Sequence, residues 1–422
     1  MPQLKDDCFA FGGALMTLHD ALSDINKRID VVTDTETVAI NQVLGRILAE
    51  NIVSPLNVPP HNNSAVDGYA VRFEDLTRDG PSRLPVFARI AAGHPLAGPV
   101  PVGSAVEIFT GAPMPAGIDT VFMKEDCDID VAGDAGDVIL PPGLKFGSNA
   151  RQLGEDIKQG AVILEQGQRL RPQDIGLAAS IGRAEILVYK RLKVAVFSSG
   201  DEVYDPSDDV PSGGIYDANR YVLMSLLNGL DVEVDDLGIL QDDQETITSA
   251  LKKAAKNHDL IMTSGGVSVG EEDHIKSAVD NLGAIDFWRL AIRPGRPIAL
   301  GQVMGKAFVG LPGNPVAAMV TFLNIARSVI ACLNGENYSK PPLYNVRAGF
   351  EYKKKRGRRE WLRTLISTAD DGTIVAIKYP SDGAGVLTSL VVADGLIELP
   401  EDLDQVNQGD MVEFIPFKGI LS

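Results

Sequence analysis

The chain has 422 residues, 45% of them hydrophobic and 23% charged, a composition typical of globular proteins and a length that predicts about two to four domains. Its 57 acidic and 39 basic residues give a net charge of −18, which disfavours nucleic acid and anionic membranes as partners. An anionic ligand would therefore need local backbone amides, a few placed arginines or a divalent cation.

The cysteines and histidines give no sign of a disulfide framework or a zinc site. The three cysteines (Cys8, Cys127 and Cys332) lie far apart, and the five histidines form no HExxH pair. We expect no amino-terminal targeting segment and no later stretch long and apolar enough to cross a bilayer. These observations together predict a cytoplasmic protein.

The first half of the chain has a helix followed by a β-rich region. The segment ALMTLHDALSDINKRI has the spacing of an amphipathic helix that docks on another domain. Residues 55–148 are rich in Gly and Pro and contain alternating pieces such as AVEIF and TVFMKEDC, which predict a β-rich module. A short helix is expected from Pro172 to Ile181, and it joins that module to the next domain through AEILVYK.

From residue 190 to about 335, short apolar runs alternate with helical patterns. The runs KVAVF, DVEVDDLGIL, DLIMT and KAFVGL are predicted to be buried strands. Helices are predicted after Asp217, after Asp242-Asp243, and from the cap Asn314-Pro315 toward Leu333. This alternation predicts a doubly wound, mostly parallel sheet whose ligands bind beyond the carboxyl ends of its strands.

The last region alternates again, in YNVRAGFEYK, GTIVAIKY and GDMVEFIPF, and predicts a small β-barrel or sandwich. Its basic run Lys353–Arg359 is expected to be a solvated hairpin tip, and only Arg363 is retained there as a candidate anion-binding residue.

Three strand-to-loop junctions of the sheet region share glycines, serines and amides. They are Ser198–Glu202, Thr263–Asp273 and Gly310–Pro315. Each loop alone is better explained as a turn, but the three together predict an anion-binding edge, because glycines admit a ligand and helix starts present N–H groups. The predicted binding residues of these loops are Ser199, Gly200, Gly265, Gly266, Ser268, Gly270, Gly313 and Asn314.

Carboxylates stand beside these loops, where they would repel an anion. Mg²⁺ resolves the conflict, since it takes oxygen ligands from one or two carboxylates and from substrate phosphates. The candidates are Glu202, Asp242 and Asp273, each just past an apolar strand. Their neighbours are expected to face water or cap helices; these are Asp201, Asp243, Glu271 and Glu272.

Positive charge appears in the turn Arg289-Leu-Ala-Ile-Arg293-Pro-Gly-Arg296, which can aim arginines at a phosphate or another oxyanion. A solvated surface turn explains the same pattern. In the β-rich region, Pro59–Ala70 surrounds the single acid Asp67, and Thr110–Pro115 is a Gly/Pro corner carrying a hydroxyl. Each of these segments alone is an ordinary loop.

Taken together, NNSAVDGYA, FTGAPMPAG, GEDI, SSGDEV, IYDANR, TSGGVSVGEEDHIK, RPGRP and GLPGNP resemble the molybdopterin molybdenumtransferase (MoeA) family, which includes the carboxyl-terminal domain of gephyrin. The resemblance implies an enzyme of molybdenum-cofactor biosynthesis. It would bind adenylylated molybdopterin, use Mg²⁺ to hydrolyse the phosphoanhydride, release AMP and place molybdate on the dithiolene sulfurs.

The resemblance also assigns roles to individual positions. By motif matching, the catalytic positions are Asp67, Thr110, Asp156, Glu202, Asp242 and Asp273, with the metal at Glu202, Asp242 and Asp273. The anion-binding positions are Arg289, Arg293 and Arg363, and Pro312 and Pro315 line the pocket.

The architecture implied by the family is an elongated homodimer of four-domain subunits, in which Asp67 and Thr110 serve a site built mostly by the partner. The implied domains are the helix 1–29, a linker domain 30–54 with 149–189, the β-rich module 55–148, the molybdopterin-binding domain 190–335 and a β-barrel 336–422. Molybdopterin adenylyltransferase and apo-molybdoenzymes are expected as further partners.

Two departures and two alternatives accompany the resemblance. Arg289, Arg293 and Arg296 stand where the family often has lysines, and Ala384 stands where a serine is common. One alternative is a molybdopterin adenylyltransferase, against which the β-rich module argues. The other is a non-catalytic carrier or scaffold, against which the retained aspartates argue.

Overall fold

A computed structural model describes residues 15–130, 136–265 and 274–418. The chain divides into two compact units. The large unit comprises residues up to 49, 167–171 and residues from 186 onward, and the small unit comprises 50–166 and 172–185. Segments of the predicted linker domain fall in both units, and the five domain boundaries stay predictions.

The large unit is built on a mixed sheet of seven strands. In spatial order they are Leu15–Met16, Gly283–Leu290, Pro297–Val303, Lys306–Leu311, Leu260–Ser264, Lys193–Ser199 and Glu233–Leu240. The last four pair in parallel, and Pro297–Val303 pairs antiparallel with both of its neighbours. The predicted mostly parallel sheet is confirmed. The strand Glu233–Leu240 is only half buried, contrary to prediction, because it lies at the sheet edge.

Helices cover both faces of this sheet, as alternating strand side chains require. Val194 and Val196 pack with Leu223 on one face, whereas Phe197 packs with Ile247 on the other. The α-helices of the large unit are Leu18–Arg28, Asn219–Asn228, Gln244–Asn257, His274–Leu282, Pro315–Thr321, Arg327–Asn334 and Thr388–Val392.

The helical stretch Pro315–Asn334 corrects one expectation from the sequence. It is formed by Pro315–Thr321, a π-helical turn Phe322–Ala326 and Arg327–Asn334, and it ends at Gly335 with φ of 75°. Its 20 residues are long and apolar enough to span a membrane, although no such segment was expected from the sequence. Because 83% of its most apolar stretch is buried inside the protein, it is the core helix of the large unit.

The carboxyl-terminal part of the large unit is a closed barrel, which settles the choice between barrel and sandwich. Its strands are Tyr344–Ala348, Arg359–Thr368, Ile374–Lys378, Gly395–Leu399 and Met411–Pro416. The long strand Arg359–Thr368 pairs with both Ile374–Lys378 and Gly395–Leu399 and so closes the ring. Leu362, Ile397 and Phe414 fill its interior.

The basic run Lys353–Arg359 is only partly the solvated tip that the sequence predicted, since Lys355 and Arg356 are exposed but Lys354 and Arg359 are held by the barrel. Lys354 is buried, and its Nζ donates to the carbonyl oxygens of Pro400 and Leu403 at 2.7 Å each. Arg359 forms ion pairs with Glu398 and Glu401. Because both cations have acceptors within the barrel, their contacts stabilise it.

The small unit is centred on a six-stranded sheet, in agreement with the predicted β-rich region. In spatial order its strands are Thr120–Met123, Gly68–Val71, Ala105–Ile108, Ser82–Ile90, Asp137–Leu140 and Asp128–Asp130. The strand Gly68–Val71 is buried on both faces, since Ala70 and Val71 belong to different apolar clusters. A Cβ at Gly68 would lie 1.7 Å from the Phe122 carbonyl oxygen, so this close strand approach requires glycine.

Short elements complete the two units. The small unit also contains the helix Pro172–Ser180, as predicted, and two-residue to three-residue strand pairs: Ile52–Val53 with Val162–Leu164, and Asn63–Ser64 with Ala150–Arg151. Other short pairs are Val203–Tyr204 with Ile215–Tyr216, Tyr352–Lys353 with Gln405–Val406, Ile292–Arg293 with the barrel strand Arg359–Thr368, and Thr35–Ala39 with Glu185–Tyr189.

Candidate functional site

The three predicted loops of the large unit start side by side. Their strands are adjacent and parallel, with Ser198 paired to Ser264 and Ser264 paired to Leu311. Parallel neighbours in register release their loops at the same edge, as the sequence pattern indicates. The structure therefore brings the first residues of all three loops together.

Two of these loops lie against each other at glycine residues. Gly265 has φ of 87°, a left-handed conformation that glycine adopts without strain. A Cβ at Gly313 would lie 3.5 Å from the Cα of Gly265. The two loops thus meet at residues that have no side chain to cover the backbone at this edge.

Asn219, which was not among the predicted site residues, joins the same two loops. Its Nδ2 donates to Ser264 Oγ at 2.8 Å and to the Gly313 carbonyl oxygen at 2.6 Å. Ser264 Oγ donates in turn to the Pro312 carbonyl oxygen at 3.1 Å. The sequence feature that could have identified Asn219 is its place in IYDANR, directly after a predicted strand-to-helix turn.

A cleft of about 140 Å³ opens among these groups. Its lining includes Ser198, Ser199, Glu202, Asn219 and Pro315. Ser198 Oγ is buried and has no hydrogen-bond partner within the described part of the chain. A buried hydroxyl without a partner is costly, and a polar ligand in the cleft would satisfy it.

The predicted carboxylates lie around this cleft as far as the structure describes them. Asp242 Oδ1 accepts from Ser199 Oγ at 3.4 Å, which places this carboxylate beside the first loop. Glu202 is exposed at the cleft. Asp273 lies outside the described residues, together with Gly266, Ser268, Gly270, Glu271 and Glu272.

The donor set fits a hard cation. Carboxylate oxygens of Glu202 and Asp242 are the ligand type that Mg²⁺ prefers. Residues 15–130, 136–265 and 274–418 contain no group of three His, Cys, Asp or Glu side chains arranged for a metal, and the third predicted ligand, Asp273, is not among them.

Asp243, in contrast to its neighbour, caps a helix as predicted. Its Oδ1 accepts from the Thr246 and Glu245 amides at 2.9 and 3.1 Å. The side-chain and backbone hydrogen bonds from Thr246 lower the pKa of Asp243 below its usual range. Two adjacent aspartates therefore have different local roles.

A buried ion network supports the loop that carries Glu202. Arg220 donates to Asp217 at 2.9 Å, to Asp205 at 2.6 Å and to Asp236. Asp217 also accepts from the Arg220 amide at 3.1 Å, so it caps the helix Asn219–Asn228 much as the sequence predicted. The network links the loop, the helix and the edge strand that leads to Asp242.

The arginine turn differs from residue to residue. Arg289 and Arg296 are exposed, whereas Arg293 lies against the barrel and donates from Nη1 to Tyr352 Oη at 3.1 Å. Gly295 has φ of 92°, and a Cβ there would lie 2.1 Å from Thr321 Oγ1. The turn is thus fixed at Gly295 against the core helix.

Arg363 is buried and holds a barrel loop. Its guanidinium donates to Ser389 Oγ at 3.0 Å, to the Ser381 carbonyl oxygen at 2.8 Å and to the Gly383 carbonyl oxygen at 3.1 Å. Desolvation lowers the pKa of Arg363 from its ordinary value. The structure thus shows Arg363 as a loop support, and direct anion binding by it stays a prediction.

The same loop reaches the start of the core helix. The Ala384 carbonyl oxygen accepts from the Val316 amide at 3.0 Å. Asn314 is the N-cap residue, as predicted, but its side chain makes no capping hydrogen bond. The barrel backbone therefore supplies the acceptor that Asn314 does not.

In the small unit, the structure pairs Asp67 with Thr110. Asp67 Oδ1 accepts from the Thr110 amide and from Thr110 Oγ1, both at 2.7 Å. These backbone and side-chain hydrogen bonds lower the pKa of Asp67, so the exposed carboxylate stays ionised at neutral pH. Sequence had placed these two residues in separate loops, and the structure brings them into contact.

Asp156 lies on an exposed turn of the small unit. Its amide donates to the Val58 carbonyl oxygen at 3.0 Å, and the nearby Leu153 amide donates to Asn62 Oδ1 at 2.7 Å. The turn is thereby anchored to the segment that leads to Asp67.

Comparison with known families covers most of the chain. Residues 16–182 match the family described as MoeA N-terminal region (domain I and II). Residues 195–331 match the family described as probable molybdopterin binding domain, and residues 345–417 match the MoeA C-terminal region (domain IV). The three matches follow one another in chain order.

Individual relatives align over nearly their whole length. The chain is 39% identical to molybdopterin molybdenumtransferase of Haemophilus influenzae over 408 residues, which cover 96% of this chain and 100% of the relative. It is 33% identical to molybdopterin molybdenumtransferase 2 of Mycobacterium tuberculosis, covering 89% and 94%. The solved molybdopterin biosynthesis MoeA protein of Pyrococcus horikoshii OT3 superposes with a TM-score of 0.78 at 27% identity, covering 96% and 100%.

Proposed function

Because the chain belongs to the MoeA family of molybdopterin molybdenumtransferases, we propose that it inserts molybdate into adenylylated molybdopterin, with Mg²⁺-dependent hydrolysis of the phosphoanhydride and release of AMP. Its family membership makes it an enzyme of molybdenum-cofactor biosynthesis. Beyond family membership, we propose the adenylylated substrate, the metal and the leaving group.

The meeting of three loops at one sheet edge is the observation that carries the proposal. Backbone N–H groups at such an edge bind phosphate oxygens, and Gly265 and Gly313 allow the ligand to approach the backbone. Asn219 holds both loops in one position. A phosphoanhydride is thereby oriented before any chemical step.

The carboxylates give the edge its second function. Glu202 and Asp242, with Asp273, would hold Mg²⁺, which when bound supplies charge neutralisation of the phosphates and of the leaving AMP. Ser199 orients Asp242 through its hydroxyl. The two side chains thus form one positioned unit.

Oxyanion binding is assigned to the arginine turn and the barrel loop. Arg293 keeps 42% of its side chain exposed while one nitrogen contacts Tyr352, so its remaining donors can address molybdate. Arg289 is exposed on the same turn. Arg363 supports the loop that meets the helix start.

The small unit is proposed to act across a homodimer. Asp67 is held ionised by Thr110, which suits it to orient a polar group of the substrate or the attacking water. In the proposed dimer, Asp67, Thr110 and Asp156 of one chain complete the site of the other. Molybdopterin adenylyltransferase and apo-molybdoenzymes are proposed as the preceding and following partners, and the compartment as the cytoplasm.

The test is AMP release by the purified protein given adenylylated molybdopterin, with and without Mg²⁺ and molybdate. Product is then assayed by activation of an apo-molybdoenzyme. We expect release to require both additions and to yield activation. Bound substrate without release under any condition would instead identify a carrier or scaffold, and ATP-dependent adenylylation of molybdopterin would identify an adenylyltransferase.

Adjacent aspartates provide a matched pair of variants. Asp242→Asn should lower turnover by about 100-fold or more because it removes a ligand charge. Asp243→Asn should retain turnover, since asparagine is also a good helix cap. Asp273→Asn is expected to match Asp242→Asn with intact folding. Equal activity of Asp242→Asn and wild type would contradict the metal assignment.

A further inference from the structure

A buried carboxylate and a phenol of the barrel contact the candidate oxyanion-binding arginine. Tyr352 Oη lies 2.8 Å from Glu360 Oε2 and 3.1 Å from Arg293 Nη1. Glu360 Oε2 lies 3.5 Å from the same Arg293 nitrogen. The three groups form a closed triangle at the junction of the arginine turn and the barrel.

Backbone pairing brings these residues together. The short strand Ile292–Arg293 pairs in parallel with the barrel strand Arg359–Thr368, so Arg293 is the register partner of Glu360. Tyr352 belongs to a different short strand of the barrel, Tyr352–Lys353. The contact therefore depends on three separate backbone segments and is built into the fold.

The direction of each hydrogen bond follows from the protonation states. Glu360 has 1% of its side chain exposed, and its other oxygen accepts from Arg358 Nε at 2.6 Å, so two arginines balance its charge. Desolvation and the hydrogen bond to Glu360 raise the pKa of Tyr352 above its ordinary value. The phenol thus keeps its proton, donates it to Glu360 and offers its lone pairs to Arg293.

This arrangement orders a side chain that would otherwise be mobile. A free arginine side chain loses rotamer entropy when a ligand orders it, and binding must offset that loss. Arg289 and Arg296 on the same turn are exposed. Arg293 is instead held at one nitrogen while 42% of its side chain stays exposed for a ligand.

We propose that Tyr352 and Glu360 are positioning residues for oxyanion binding, which hold Arg293 preorganised toward molybdate. The inference rests on the proposed function, and specifically on Arg293 as an oxyanion ligand. Neither residue touches the oxyanion in this proposal. Their contribution is to fix the guanidinium plane, so it affects molybdate affinity more than the rate of phosphoanhydride hydrolysis.

The experiment measures molybdate binding by equilibrium dialysis with sodium molybdate, and KM and kcat for molybdate in the coupled activation assay. Tyr352→Phe removes the hydroxyl and keeps the ring. We expect Kd and KM for molybdate to rise about 5- to 20-fold, the effect of losing one charge-assisted hydrogen bond, with kcat within about twofold of wild type. Glu360→Gln, which keeps the shape of the side chain, should shift Kd in the same direction.

Two further variants make the result decisive. Tyr344→Phe makes the same chemical change at an exposed barrel tyrosine and should leave Kd and KM unchanged. Arg293→Ala should weaken molybdate binding at least as much as Tyr352→Phe. Wild-type affinity of Tyr352→Phe alongside weak binding by Arg293→Ala would overturn the inference and leave the proposed function standing.

The remaining outcomes distinguish a positioning role of Tyr352 and Glu360 from a structural one. Unchanged affinity of Arg293→Ala would remove the oxyanion role of Arg293, and the inference with it. If Tyr352→Phe lowered kcat, molybdate affinity and Tm together, the pair would be structural and the inference would be wrong. A shift of KM alone, with Tm preserved, supports positioning.

Discussion

Replacing Arg220 by methionine should strongly destabilise the large unit. Arg220 has 3% of its side chain exposed and pairs with Asp205, Asp217 and Asp236. Methionine has a similar length but carries no charge. The change leaves Asp217, also only 3% exposed, as a buried carboxylate without its cation.

The expected loss follows from that burial. Removing one member of a buried ion pair costs about 3–5 kcal/mol, because the remaining charge stays desolvated. Asp205 and Asp236 are more exposed, with 31% and 37% of their side chains accessible, so water compensates them in part. Asp217 therefore accounts for most of the expected free-energy change of unfolding.

Tryptophan fluorescence measures the loss of stability in the large unit. Both tryptophans of the chain, Trp288 and Trp361, are buried in the large unit, so urea unfolding followed by fluorescence reports on that unit. With a slope of about 3 kcal/mol/M, the midpoint should fall by about 1–1.7 M. The exposed ion pair of Arg191 with Asp231 provides the control, and Arg191→Met should cost less than about 1 kcal/mol.

A double variant tests the cause. In the Arg220→Met, Asp217→Asn protein the uncompensated buried charge is gone, so part of the lost stability should return. A loss below about 1 kcal/mol in Arg220→Met, equal to that of Arg191→Met, would show that the buried network does not carry the stability inferred for it.

Three other substitutions have separate expected results. Asp67→Asn should lower AMP release by about 100-fold or more at unchanged Tm, because the exposed carboxylate is lost. Since hydrogen bonds from Thr110 lower the pKa of Asp67, wild-type activity measured against pH should fall through its protonation only at a more acidic pH than an ordinary aspartate would give. Gly68→Ala should destabilise the small unit by about 3 kcal/mol through the clash with the Phe122 carbonyl oxygen, seen as faster hydrogen exchange in that unit alone. Ala384→Ser should keep the fold and lower KM for molybdate severalfold, because a hydroxyl is added to the loop that Arg363 holds.

The sequence predicted the parallel strands well because their signal is local. KVAVF, DLIMT and KAFVGL are continuous apolar runs, and each forms a buried strand. Burial of Glu233–Leu240 was predicted wrongly because an edge position depends on strand order, which no local pattern contains. The antiparallel strands Gly283–Leu290 and Pro297–Val303 were missed, since the arginines and the Pro-Gly turn between them suggested a loop.

Site residues too were predicted where the signal is local and missed where it depends on the assembled fold. Loops that begin at strand ends were predicted from sequence because topology fixes where they meet. Asn219 and Arg220 were missed as site supports, since their partners are distant in sequence: Ser264 and Gly313 for Asn219, and Asp205 and Asp236 for Arg220. Such contacts form only when the chain has folded, and residue spacing in the sequence does not predict them.

The barrel loop that contains Ala384 is held through its backbone. The Ala384 carbonyl oxygen accepts from the Val316 amide, an orphan donor of the core helix. Arg363 holds the same loop through the carbonyl oxygens of Ser381 and Gly383. Because all three contacts use backbone atoms of the loop, the barrel stays attached to the helix start whichever side chain stands at 384. On the proposed role of Arg293, oxyanion affinity would then depend more heavily on Arg293 and the residues that position it.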